Sequence, residues 1–246
     1  MPQVVVLALA ACGTALATGL GALPVWWLGT RAAQLTPVLL GFAAGVMGVA
    51  AIAGLLIPAM EEGSAAAVAL GLAIGLGFLV LVRRHLSVDA GFMGHSGPSA
   101  RTSALVFLVL FVHSLPEGFA VGTAFASDRA GLSLFVILAI AIQNVPEGTS
   151  VAIPMEEAGF SRGRQFWVAV GTSSPQPVGA VIAFLAVEQI SGLLPFSFAF
   201  AAGAMLALIA LELLPQAYAG GARAAPSAGV AAGAAVMLVL SALLVA

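Results

Sequence analysis

The chain has 246 residues, 61% of them hydrophobic and 7% charged, with a mean hydropathy of +1.14. A water-facing domain carries about 25% charged residues, so this composition excludes a soluble globular protein and requires an integral membrane one. A formal net charge of −2 over so few charges leaves no basic surface for nucleic acid, and the one cysteine, Cys12, has no partner for an intramolecular disulfide.

Apolar runs of ~20 residues without strand-length alternation predict an all-α integral membrane protein rather than a barrel. Breaks in hydrophobicity place eight transmembrane helices, the first over 3–28. It opens as MPQVVVLALAACGTALA, yet no Lys or Arg precedes Arg31 and the apolar run continues to Leu28, so a retained helix is expected rather than a cleaved signal. The second helix covers 36–59 and the third 64–82. Gly71-x-x-x-Gly75 in the third is a small-residue packing face, for a neighbouring helix of the same chain or for a second copy in a homodimer. The connection 83–101, RRHLSVDAGFMGHSGPSAR, is polar and glycine-containing, with the composition of a mobile loop, and its His85 and His95 are expected to be solvated. The remaining helices are placed at 102–126, 131–154, 166–187, 193–214 and 226–245, and residues 1–246 form a single transmembrane domain.

There is no lysine, so the arginines set orientation. With the N-terminus outside, the inner connections hold Arg31, Arg83, Arg84, Arg101, Arg162, Arg164 and Arg223, and the outer ones only Arg129. That asymmetry predicts a multi-pass protein of the cell inner (plasma) membrane, with the lipid bilayer as its surroundings and both termini outside the cytoplasm.

Glu61, Glu62, Asp128, Glu156, Glu157 and Glu188 fall at predicted helix ends, as interfacial charges do. Glu117 and Glu147 do not. Each sits near the middle of its helix, where an acid costs roughly 2.5–3.5 kcal/mol on insertion scales. No intramembrane Lys or Arg is available, so their partner is expected to come from outside the chain. HSLPEGFAVG (113–122) stacks His113 over Glu117 at i, i+4, and QNVPEGTSVA (143–152) does the same with Gln143 and Glu147. Pro116 and Pro146 each remove a backbone donor and displace the carbonyl four residues back, which is tolerable only in a polar cavity. Two carboxylates, an imidazole and an amide carbonyl between helices 4 and 5 suit a divalent first-row cation such as zinc, iron or manganese. Duplication of the motif gives the chain an inverted-repeat character, in which broken helices bind substrate near the midplane.

Other classes fit less well. A proton-coupled carrier of a small solute would reuse the same glutamates, but the sequence has no aromatic or guanidinium cradle for an organic molecule. An intramembrane enzyme would need a catalytic pattern; H-E-x-x-H and G-x-S-x-G are absent, and Glu156, Glu157 and Arg162 fall in a connection. A structural or assembly protein leaves the duplicated P-E-G unexplained.

The two motifs resemble those of the ZIP family (Zrt-, Irt-like proteins) of divalent metal transporters, most closely its bacterial GufA-type branch. TGLGALPVWW, FAAGVMGVAAIAGLLIPAMEEG and ALIALELLPQA are similar to its first, second and seventh helices. The resemblance implies uptake of zinc, or of iron, manganese, cobalt or cadmium, into the cytoplasm as substrate, with no prosthetic group and no enzymatic activity. It implies that His113, Glu117, Gln143 and Glu147 form the principal metal site, the two glutamates bridging to a second site at Ser114, Asn144 and Gln176. Ser114 stands where the family has asparagine, and Gln176 where many relatives have glutamate. With only two fixed negative charges, one tightly held ion is expected. Met47 resembles a pathway-lining methionine, and Glu212 the acidic residue at the cytoplasmic end of helix seven, here preceded by Leu211.

Overall fold

The computed structural model describes residues 2–85, 92–127, 129–221 and 223–245. Asp128 and residues 86–91 of the predicted loop lie outside them. Twelve α-helical segments follow in order: α1 (Pro2–Leu20), α2 (Ala22–Leu28), α3 (Thr36–Val49), α4 (Ile57–Glu62), α5 (Ala65–His85), α6 (Pro98–Ala126), α7 (Leu132–Glu157), α8 (Arg162–Thr172), α9 (Pro175–Gln189), α10 (Leu194–Leu208), α11 (Leu214–Tyr218) and α12 (Ala224–Leu244). Among the described residues there is no strand, only an isolated bridge between Phe92 and His95.

Seven helical stretches among these residues are long and apolar enough to cross a membrane, the first running from Gln3 to Glu62. Within it the chain passes through a 3-10 turn, Gly29–Leu35, where Gly29 has φ +55° and polar Thr30, Arg31 and Gln34 interrupt the apolar run.

Where the helices break differs from expectation. α6 and α7 run unbroken through Pro116 and Pro146. The interruptions lie elsewhere, between α1 and α2 at Gly21 and between α8 and α9 at Ser173–Ser174, ahead of Pro175 and Pro177. Two further helices contain π-helical segments, Ala50–Leu56 ahead of Pro58 and Ile209–Leu213 ahead of Pro215. A proline displaces the carbonyl four residues back, and an inserted residue relieves that clash as a π-bulge.

The helices pack in pairs, α5 on α10, α3 on α12, α6 on α9 and α1 on α7. Gly71 and Gly75 lie against the backbone of Phe196 and Phe200 on α10, so that small-residue face holds a neighbour in the same chain. Gly118 and Gly148 matter more for the site. A Cβ at Gly118 would collide with the Gln176 carbonyl oxygen on α9, and one at Gly148 with the Thr18 carbonyl oxygen on α1. Each P-E-G glycine therefore brings a further helix to backbone contact beside its glutamate. The main apolar core centres on Met47, Leu55, Phe135, Ile140, Phe198, Met205 and Leu208. Polar pairs tie helices across it: Thr18 and Ser173 hydroxyls lie 2.6 Å apart and those of Thr123 and Ser197 2.5 Å, each such bond adding about 0.6 kcal/mol in a membrane setting.

Two groups of ion pairs lie at opposite ends of the helices. Arg129 bridges Glu61 (2.7 Å) and Glu62 (2.5 Å) at one; at the other, Arg83 pairs with Glu212 at 2.9 Å. His95 stacks on Phe160 with ring centroids 3.8 Å apart, and His85 Nδ1 lies 2.9 Å from the Leu81 carbonyl oxygen.

Candidate metal centre

Helical spacing turns His113 and Glu117 of α6 toward α7, and Gln143 and Glu147 of α7 toward α6. All four side chains are buried. One donor atom from each of His113, Glu117 and Glu147 falls within 4.8 Å of the other two. His113 Nε2 is 3.2 Å from Glu117 Oε1, without the alignment of a hydrogen bond.

Glu117 is not without protein partners, which corrects the expectation drawn from the absence of Lys and Arg. Gln143 Nε2 donates to its Oε1, and Gln176 Nε2 donates to its Oε2 at 2.6 Å. Amide donors reaching across from α7 and α9 thus do what no fixed cation is present to do. Glu147 differs. Its Oε1 has no hydrogen-bond partner, and neither do Gln143 Oε1 or the two ring nitrogens of His113. Four buried polar atoms left unpaired on these three side chains are costly, because each loses its water without replacement. With the Glu117 carboxylate they offer an imidazole nitrogen, an amide oxygen and carboxylate oxygens, a mixed N/O set that suits a borderline divalent cation.

The other predicted site residues fall into two groups. Asn144 and Gln176 are buried beside the cluster and bonded to each other, with Asn144 Nδ2 3.3 Å from Gln176 Oε1. Asn144 Nδ2 also donates to the Thr14 carbonyl oxygen at 2.7 Å. Ser114 is buried too, but its hydroxyl donates to the Leu110 carbonyl oxygen at 2.8 Å, within its own helix. Met47 is fully buried on α3 in the main core. Glu212 lies in the second π-helical segment, away from the cluster, on the wall of a separate cavity.

Thr14 was not foreseen. Its hydroxyl donates to Gln176 Oε1 at 2.8 Å, so it fixes the amide that in turn holds Glu117. The signal was the pair Thr14 and Thr18, polar residues at i, i+4 in an otherwise apolar helix. Glu156, Glu157 and Arg162 do not form a catalytic group. Glu156 accepts from Gln165 at 2.6 Å, Glu157 from Ser99 at 3.3 Å, and Arg162 donates to the Trp26 carbonyl oxygen at 2.9 Å.

Known proteins are similar in sequence to this chain over most of its length. The family described as ZIP zinc transporter matches residues 93–241, which carry both P-E-G motifs. The chain is similar to the zinc transporter GufA of Myxococcus xanthus, 35% identical over 217 residues, 83% of this chain and 85% of that protein. It is similar also to the zinc transporter ZIPB of Bordetella bronchiseptica, 34% identical over 243 residues, 91% of this chain and 76% of that one. A longer Arabidopsis thaliana relative is 36% identical over 207 residues, 83% of this chain but only 33% of its own length.

Proposed function

The chain belongs to the ZIP zinc transporter family, and on that premise we propose that it moves zinc across the membrane into the cytoplasm through the His113–Glu117–Gln143–Glu147 cluster. The observation that carries this reading is the buried cluster of His113, Glu117 and Glu147, in which Glu147 Oε1 has no hydrogen-bond partner. A divalent ion supplies that oxygen with a partner and is itself neutralised by the two carboxylates, so neither charge remains alone in a poor dielectric. Iron, manganese, cobalt and cadmium would meet the same donors and act as competitors. The ion is cargo, not a resident cofactor.

The second site, Ser114, Asn144 and Gln176, has no carboxylate of its own beyond the two shared ones. Its amides are occupied with Glu117, Thr14 and each other. One tightly held ion per chain is the expected stoichiometry.

We count eight passes, with both termini outside the cytoplasm. Gln3–Glu62 has 60 residues; as one straight helix it would reach about 90 Å, three times a ~30 Å hydrocarbon core, so it accounts for two passes that turn at Gly29–Leu35. The order of irregularities then repeats. A broken helix (α1–α2), a π-containing one (α3–α4) and an unbroken one (α5) precede α6 and α7; a broken (α8–α9), a π-containing (α10–α11) and an unbroken one (α12) follow. Corresponding members are five passes apart and so antiparallel, which supports an inverted repeat around the α6–α7 pair. The arginine asymmetry supports placing the Arg83 end in the cytoplasm of a cell whose plasma membrane holds the chain.

The reading is tested by radiozinc uptake into proteoliposomes, with unlabelled divalent cations as competitors. Saturable uptake, reduced by cadmium and not by magnesium, is expected from an N/O site. Uptake no faster than in protein-free vesicles would reject zinc transport.

A further inference from the structure

A cavity of about 310 Å³ opens at the Arg83 end of the bundle, lined by Leu40, Leu110, Ser150, Leu208 and Leu213, with Arg83 and Glu212 as its charged residues. It approaches the metal cluster closely. Leu110 lies three residues before His113, and Ser150 three residues after Glu147, with its hydroxyl donating to the Glu147 carbonyl oxygen at 2.6 Å. Cavity and cluster are therefore separated by about one helical turn, ~5 Å of helix. An ion leaving toward this end enters a space whose one acid, among the described residues, is Glu212.

That acid is occupied. Arg83 Nε is 2.9 Å from Glu212 Oε1, while Gln216 Nε2, one turn along, donates to Glu212 Oε2 at 3.2 Å. The two partners of the ion pair are unequally solvated: the Glu212 side chain is 15% exposed and the Arg83 side chain 51%. The carboxylate is held in place by the π-helical backbone of Ile209–Leu213, whereas the arginine reaches in from the last turn of α5. Water can re-solvate the half-exposed guanidinium when it withdraws, whereas the carboxylate is left with an uncompensated charge unless another cation takes its place. A partly desolvated carboxylate left without it would hold a dication strongly.

We propose that Arg83 is a built-in competitor for Glu212, a tethered cation that the departing ion displaces and that then returns, so that the exit acid attracts the ion without retaining it. The pair forms an exchange latch at the inner mouth, with a divalent cation and the guanidinium as alternative occupants of one carboxylate. This rests on the zinc-transport reading above. Arg83 is a positioning residue here; the metal meets Glu212.

The test counts zinc per chain at equilibrium, by dialysis against rising free zinc, and measures radiozinc uptake with the same preparations in proteoliposomes. Wild type should keep about one ion, Arg83→Gln about two, the added one at the uncompensated Glu212. Uptake by Arg83→Gln should fall at least about threefold, because release becomes slow. Arg83→Gln/Glu212→Gln should return the count to that of wild type. A count unchanged in Arg83→Gln overturns the latch, whatever its uptake. Glu212→Gln alone supplies a second arm if Arg83→Gln does not fold. It leaves an unpaired guanidinium in the exit, so uptake should fall with the ion count unchanged; uptake equal to wild type overturns the latch as well. In either case zinc transport by the wild type stands. A wild type that neither binds nor moves zinc would instead overturn the transport reading.

Discussion

Gln176 donates to Glu117, Nε2 to Oε2 at 2.6 Å, from a helix that begins 58 residues further along the chain. Thr14 holds the other end of the same amide through its Oε1. Glu117 is thereby aimed at His113 and Glu147 by neutral groups that add no charge to the site.

Gln176→Glu replaces that donor with an acceptor. Two carboxylate oxygens would then face each other at hydrogen-bond distance, and a cation, or a proton shared between them, must fill the gap. With zinc saturating, the third negative charge is expected to raise bound metal from about one ion per chain towards two. Metal-free, the variant should take up a proton, so that its uptake becomes more dependent on pH than that of the wild type. Metal-to-protein ratios for both forms check this; two tightly held ions in the wild type would contradict it.

Helix approach beside the glutamates depends on Gly118 and Gly148. Gly118→Ala and Gly148→Ala would each drive a methyl group into a facing carbonyl oxygen on a neighbouring helix, backbone that cannot step aside. A loss of about 1–3 kcal/mol or more is expected, seen as a lower melting temperature in detergent. Gly77→Ala, where a Cβ would meet nothing within 4 Å, should leave melting unchanged.

Topology has its own check. A reporter active only in the cytoplasm should be silent when fused after Ala246 and active when inserted within 92–97. The opposite pattern would reverse the orientation and place the Arg83–Glu212 mouth outside.

Much of the candidate site was legible because it is periodic. His113 and Glu117, and Gln143 and Glu147, share a helix face by spacing alone, and an acid in an apolar run announces its cost. The supporting contacts were not legible. Nothing local to Gln176, Gln143 or Thr14 says that the two amides converge on Glu117 or that Thr14 holds one of them, since those bonds join three helices besides its own. The two P-E-G prolines suggested broken helices, yet α6 and α7 absorb them, while breaks fall at Gly21 and before Pro175. Proline marks where a helix is stressed; packing decides whether it bends, bulges or carries on. Arg83 read only as a topology signal, because its pairing with Glu212 spans 129 residues of chain.

The central claim is that the transported ion sits on Glu117 and Glu147, and radiozinc uptake into proteoliposomes by Glu117→Gln and Glu147→Gln tests it most directly. Each change keeps the shape of the side chain and removes half of the charge that neutralises the ion. Both variants should be folded, and both should retain less than about a tenth of wild-type uptake, a loss above ~1.4 kcal/mol. Glu61→Gln, at the opposite end and half-exposed beside Arg129, should transport at close to the wild-type rate. Uptake in either buried variant comparable to that of Glu61→Gln would contradict the account.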